Sequence, residues 1–170
     1  MRKIKLFIAS SLDGFIADKK GEIDWLFTDA DYGYKKFFSS VDTVLMGSKT
    51  YRQSQQFEKE PFKGKKIVVF TRKKPVQEKT GAVFVSNPVA FTKKLLKEKG
   101  KDIWLVGGGK IVSLLINAKL IDEIQLFVHP LLLGKGIPLF DKIHERTRFK
   151  TVKAKQYKSG LIELHYKTGK

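Results

Sequence analysis

Short apolar runs recur along the chain at 3–10, 41–46, 66–70, 82–85, 103–106, 123–129 and 161–167. Most are four to eight residues long, rich in β-branched and aromatic side chains, and bounded by Gly, Ser, Asn or Lys. That pattern predicts strands. Helical periodicity lies between them. The clearest stretch is SNPVAFTKKLLKEKG, where Asn87 is placed to cap, Pro88 fits the first turn, Phe91 and Leu95 share a face, and Gly100 stands where the helix can end. Further helices are predicted after the glycines at 107–109, with Ile111, Leu114 and Leu115 inward, and over 31–40 and 49–56. The last quarter reads as a hairpin, 149–157 and 161–167 around a Lys-Ser-Gly turn. Parallel neighbours need a crossover, so strands alternating with helices imply an α/β fold with a mixed, mostly parallel sheet flanked by helices and a C-terminal antiparallel hairpin at one edge. No repeat or linker divides the chain, and 170 residues suit a single domain over 1–170.

Composition narrows the chemistry. Cysteine is absent, which removes disulfides, thiolate zinc sites and thiol nucleophiles. The basic, apolar N-terminus imitates a signal peptide, but Ser10, Ser11 and Asp13 break it, and no apolar run reaches membrane-spanning length. The expectation is a cytoplasmic protein with no membrane partner. The net charge of +17 is unevenly spread: residues 1–57 hold nine Lys/Arg against seven Asp/Glu, whereas residues 58–170 hold 25 against ten. Such a surface is either a solvated lysine-rich coat or an attractor of polyanions and phosphorylated small molecules.

The sequence DIWLVGGGKI, 102–111, runs from an apolar strand through Gly107, Gly108 and Gly109 into a helix. Glycines let a ligand approach the backbone, and the helix start offers N–H groups to an anion. A tight strand-to-helix turn would look the same. A Rossmann fingerprint would need glycine at Val112, and a P-loop would need Ser or Thr at Ile111. Two other strand ends add to the pattern. VLMGSKTY turns at Gly47 and offers Ser48, Lys49 and Thr50; IVVFTRKK offers Thr71, Arg72 and Lys73. Ligands of open parallel sheets sit beyond the carboxyl ends of the strands. Three ends with hydroxyls, cations or glycines suit a ligand with more than one phosphate, such as a dinucleotide. Upstream, Asp24, Asp29 and Asp31 surround Trp25 and a helix start. An acid there is either a cap or an anchor and proton source for a nitrogen heterocycle.

The stretches IASSLDGFIA, VLMGSKTY, IVVFTR, WLVGGGKI and DEIQLFVHPLLLGKGIPLF stand in the order found in the dihydrofolate reductase superfamily. The chain resembles above all its riboflavin branch, the RibD C-terminal reductase domain, and the run from Pro130 to Phe140 favours that branch. The resemblance implies a dihydrofolate-reductase-like fold and NADPH as hydride donor. It places Gly107, Gly108, Gly109, Lys110 and Ile111 at the pyrophosphate and nicotinamide side. Gly47, Ser48, Lys49 and Thr50 would hold phosphate and adenosine ribose. Thr71 and Arg72 would face the adenine end, with Arg72 on the 2′-phosphate, and Ala9 and Ile16 would line the nicotinamide pocket. The acid of the first long helix falls at Asp31, with Asp29 as fallback. The strand around Leu126, Phe127 and Val128 lacks the threonine common in folate enzymes, and without cysteines no deaminase domain is expected within these residues.

The implied activity is reduction of a pyrimidine- or pterin-type heterocycle, most like 5-amino-6-(5-phosphoribosylamino)uracil reductase of riboflavin biosynthesis. The expected partner is a small heterocyclic substrate, with or without a phosphate, and the expected assembly a homodimer through the C-terminal strands. Neither a specific nucleic acid nor a metal is expected. The alternatives are dihydrofolate reductase-type activity, a non-catalytic nucleotide-binding relative, and a basic nucleic-acid-binding protein. His129, at a strand end before Pro130, is read as structural, with contact to a substrate phosphate as the other role; His144 and His165 are read as surface or hairpin residues.

Overall fold

Strand β1 (Ile4–Ser11) carries apolar side chains on both faces, and such a strand is stable only at the centre of a covered sheet. A computed structural model, which describes residues 1–72 and 81–169, places it there. Chain order continues with β2 (Phe15–Ala17), α1 (Tyr34–Ser40), β3 (Val41–Gly47), α2 (Ser48–Phe57), β4 (Lys66–Phe70), β5 (Val83–Val85) and α3 (Pro88–Leu95). Then follow β6 (Asp102–Gly107), α4 (Gly109–Asn117), β7 (Glu123–His129), β8 (Ile137–Pro138), β9 (Phe149–Gln156) and β10 (Ile162–Thr168).

The main sheet has the order β5-β4-β3-β6-β1-β7-β10-β9. The first six positions are parallel, and β10 and β9 continue antiparallel from β7. One face packs Ile4, Leu6 and Ile124 against Leu95 of α3 and Val112, Leu115 and Ile116 of α4. The other packs Val44, Met46 and Trp104 against Phe37 of α1 and Tyr51 of α2. The carboxyl ends of the six parallel strands lie along one edge. No described helix is long and apolar enough to cross a membrane.

The opposite edge is fastened by Arg2, which is 7% exposed. Its guanidinium pairs with Asp42, donates to Thr43 Oγ1 at 2.8 Å, and donates through Nε to the Lys101 carbonyl at 2.6 Å. These bonds tie the starts of β1, β3 and β6 together.

The α/β class, the parallel core and the terminal hairpin match the sequence expectation. Three details differ. Leu114 is 39% exposed rather than inward, because α4 turns Val112, Leu115 and Ile116 to the core. Helix α1 begins at Tyr34, not 31, because Gly33 is left-handed (φ 83°) and Asp31 caps from outside, its carboxylate accepting the Lys35 N–H at 3.2 Å. Helix α3 ends at Leu95, before Gly100, through tightened turns in which the N–H groups of Lys97 and Glu98 donate to the carbonyls of Lys94 and Leu95.

A second, two-stranded sheet, β2 with β8, escapes the sequence reading. It lays the segment from Pro130 to Phe140 across the start of α4. A Cβ at Gly109 would fall inside the Pro138 carbonyl oxygen, and one at Gly136 inside the Ala17 carbonyl oxygen. Both glycines are there for backbone-on-backbone contact. Gly109→Ala should therefore destabilise by about 1–3 kcal/mol, the usual cost of overpacking, or roughly 2–4 °C of Tm per kcal/mol in a chain of this size. Leu114→Lys, on the outer face of the same helix, should change stability by less than about 0.5 kcal/mol. Thermal melts of both variants check this; a Gly109→Ala variant melting like the parent would contradict the packing.

Candidate active site

Beyond the carboxyl ends of β4, β3 and β6, three turns converge. Met46 pairs with Gly107, so the turns after β3 and β6 are neighbours. A side-chain carbon at Gly108 would lie 3.3 Å from Thr50 Oγ1, and one at Gly47 would lie 3.4 Å from Ile111 Cγ1. Gly108 has φ 91°, which an L side chain rarely adopts, and it is the N-cap of α4. The first N–H groups of α2 and α4 thus start at adjacent strand ends. Ser48 Oγ donates to the Phe70 carbonyl at 3.0 Å, and the Thr71 N–H donates to the Val85 carbonyl at 2.9 Å, which fixes the end of β4 against α2. Lys49, Lys110 and Arg72 are exposed at this rim, and Thr71 is half-buried. Lys73 lies outside the described residues.

Over β1 and β7 the same edge opens into a cavity of about 460 Å³. Its floor is Phe7, Ile8, Ala9 and Phe127; its walls are mainly Leu26, Phe27, Tyr32, Tyr34 and Leu161, with Asp31, Thr28 and His129 as polar members. Phe7 and Phe127 lie with ring centroids 4.6 Å apart because β1 and β7 are paired, Ala9 opposite Phe127. Ile8 joins the two regions: a side-chain carbon at Gly107 would lie 3.2 Å from Ile8 Cδ1.

The polar groups divide by role. Asp31 lines the cavity and caps α1. Asp29 does not line it; its carboxylate accepts from the Tyr32 hydroxyl at 2.5 Å, and Ser159 Oγ is 2.9 Å from that same hydroxyl. The Tyr32 ring packs edge-on against Tyr157, whose phenol is pushed up to about 12 by burial and by donating to Glu163 at 2.7 Å. This network ties the cavity wall to the β9–β10 hairpin. His129 is 3% exposed. Its Nε2 accepts the Phe27 N–H at 3.1 Å and its Nδ1 faces the Phe127 carbonyl at 3.3 Å, so the partners fix a neutral ring with the proton on Nδ1. Burial holds its pKa below the ordinary value, and Trp25 and Phe27 pack on its ring. His129 pins the wall segment to the end of β7.

The structure therefore brings together Gly47, Ser48, Lys49 and Thr50 with Gly107, Gly108, Lys110 and Ile111, and sets Thr71 and Arg72 at the end of the next strand. Gly109 instead has its Cβ side filled by Pro138. Ala9 lines the cavity, while Ile16 in β2 packs against the core. Phe7, Phe27, Tyr32, Tyr34 and Leu161 were not foreseen as site residues. The strand alternation does set Phe7 and Ala9 on one face, but only the β1–β7 register brings Phe127 beside them.

The RibD C-terminal domain model matches residues 2–162. The uncharacterised protein YyaP of Bacillus subtilis (strain 168) is 37% identical over 177 residues, spanning 97% of this chain and 94% of its own. A solved structure from Shewanella sp. PV-4, provisionally assigned to riboflavin biosynthesis, is 26% identical with TM-score 0.88, covering 99% of both chains. The diaminohydroxyphosphoribosylaminopyrimidine deaminase/5-amino-6-(5-phosphoribosylamino)uracil reductase of Thermotoga maritima shares the fold, with TM-score 0.77 at 17% identity over 98% of this chain and 56% of its own.

The neutral His129 has a consequence for acid stability. Its folded pKa lies below its unfolded value of about 6.5, so its contribution is intact above that pH and is lost as pH falls toward the folded pKa. As pH falls below ~6.5 toward the folded pKa, the stability of the parent should fall more steeply than that of His129→Gln. Urea unfolding at a series of pH values reads this, and parallel profiles would contradict it.

Proposed function

The chain belongs to the RibD C-terminal domain family, and from that premise we propose that it is an NADPH-dependent reductase of a pyrimidine- or pterin-type nitrogen heterocycle. The observation that carries the reading is the joining, at Ile8 and Ala9, of a glycine- and cation-rimmed cleft to an aromatic cavity holding one acid. The residues fit the cofactor. Gly108 leaves open the gap toward Thr50 that a side chain would fill, and helix starts and exposed cations border it.

NADPH supplies a hydride, and the protein supplies position and electrostatics. The turns at Gly47–Thr50 and Gly107–Lys110 would hold the phosphates through backbone N–H groups, and Arg72 would meet the phosphate that distinguishes NADPH from NADH. Ile8 and Ala9, between the glycine turns and the cavity, would border the place where nicotinamide and substrate meet. Phe7, Phe127 and Tyr34 offer the flat heterocycle an aromatic surface on one side of the cavity. Asp31 holds a ring nitrogen and orients the proton that completes reduction of the C=N bond or opened ribose. Titration of the chain with both cofactors should show NADPH tighter than NADH by about 1.5–3 kcal/mol, the value of a hydrogen bond to a charged group, and Arg72→Ala should shrink that difference. Equal affinities in the parent would remove the role of Arg72. Asp31→Asn should leave NADPH affinity unchanged and lower turnover by about a hundredfold or more, read as NADPH consumption with pterins and ribosylaminopyrimidines. Undiminished turnover would remove Asp31 from the chemistry.

A further inference from the structure

We propose that the heterocycle this cavity accepts carries no phosphate. The inference rests on the reductase reading above and names the substrate class of that site. A cavity can meet a phosphate in three ways: with a cationic side chain, with a protonated histidine, or with the free N–H groups of a helix start. Here the first two are missing or already used, and the third is mostly taken. Among the described residues that line the cavity there is no lysine and no arginine. Its one basic side chain, His129, is buried, with Nε2 taken by the Phe27 N–H and Nδ1 by the Phe127 carbonyl. The helix start at its wall, α1, has its first two N–H groups taken from within. The Tyr34 N–H donates to the Asp31 carbonyl at 2.9 Å, the Phe37 N–H to the Gly33 carbonyl at 3.0 Å, and the Lys35 N–H to the Asp31 carboxylate.

The groups that are present point the other way. Asp31 is an acid facing the cavity, and the floor is aromatic or aliphatic. A phosphate on the floor of Phe7 and Phe127 would give up its water without a counter-charge, and at the exposed mouth it would stand beside the Asp31 carboxylate. A neutral or protonated amino-heterocycle would stack on Phe7, Phe127 and Tyr34 and donate its N–H groups to Asp31. Lys49, Lys110 and Arg72 stand at the cofactor turns, and Lys35 and Lys36, exposed in α1 after Tyr34, are not part of the cavity lining. Lys158 is exposed in the β9–β10 turn next to Ser159, outside the cavity wall. The chain thus discriminates between the two halves of its reaction, phosphate recognition for the dinucleotide and none for the substrate. It would consume the product of a dephosphorylating step, or a heterocycle that was never phosphorylated.

The test is a matched pair: 5-amino-6-(5-phosphoribosylamino)uracil and the same compound without its phosphate. Each is titrated calorimetrically into the full chain without oxygen, at a salt concentration of about 0.15 M, where screening acts over ~8 Å. NADPH is titrated into the same preparation. The dephosphorylated compound should bind at least tenfold tighter. Thr28→Lys, which puts a cation into the exposed part of the wall, should shift the preference toward the phosphorylated compound at least tenfold. The proposal is overturned if the phosphorylated compound binds equally well or better, if neither compound binds, if Thr28→Lys leaves the preference unchanged, or if Lys158→Ala selectively weakens the phosphorylated compound. NADPH binding separates this from the wider reading. A chain that prefers the dephosphorylated compound but does not bind NADPH keeps the cavity assignment and loses the reductase. A chain that binds NADPH and turns over only the phosphorylated compound keeps the reductase and loses this proposal.

Discussion

The site depends on a contact between two pieces of backbone. The Pro138 carbonyl lies where the Cβ of any other residue at position 109 would be, and this contact seats the segment from Pro130 to Phe140 against the start of α4. That seating has consequences on both sides. Toward the sheet, Gly108 and Gly107 are held in backbone conformations that turn β6 sharply into α4 and leave the gap toward Thr50 free of side chains. Toward the loop, β8 reaches β2, Gly136 fits against Ala17, and Asp13 accepts the N–H groups of Leu133 and Gly134 at 3.1 and 2.7 Å. The three consecutive glycines are thus three separate requirements: two of backbone conformation and one of space.

From that anchor the edge of the sheet divides its electrostatics. Moving from β4 to β6, the strand ends offer cations, hydroxyls and helix starts; from β1 to β7 they offer aromatic carbon, a neutral histidine and an acid. Adjacent strands lie about 4.8 Å apart, so the change from one chemistry to the other happens within one strand spacing, at Ile8 and Ala9. The proposed reaction needs a hydride donor and acceptor close together while their charged ends are kept apart, and this arrangement is compatible with both. The wall opposite the sheet is kept in shape by His129 on one side and by the Tyr32–Tyr157–Glu163 network on the other.

Local signals carried most of the fold. The Asn87 cap is present, its side chain accepting the Ala90 N–H at 3.1 Å, and Gly47 does end a strand and open a helix. The limits were equally physical. Strands β2 and β8 are three and two residues long and pair across more than a hundred positions, so neither has a periodic pattern of its own. Leu114 fits the apolar stripe of α4 in sequence, yet Val112 and Leu115 set which side faces the sheet. Asp31 was recognisable as an acid near a helix start, but its separation from Asp29 came only when Tyr32 was seen to bind Asp29 away from the cavity. The glycines were correctly placed at a strand end, but the part of Gly109 required Pro138, which lies far along the chain.

Hydrogen–deuterium exchange of the full chain with and without NADPH tests the central claim most directly, because it reads the backbone N–H groups that the cleft is held to use. The account predicts slowed exchange at Ser48–Phe57 and Gly109–Asn117, strongest in the first turn of each helix, with the β9–β10 hairpin unchanged despite its many lysines. Protection confined to that hairpin, or no protection at either helix start, would contradict it.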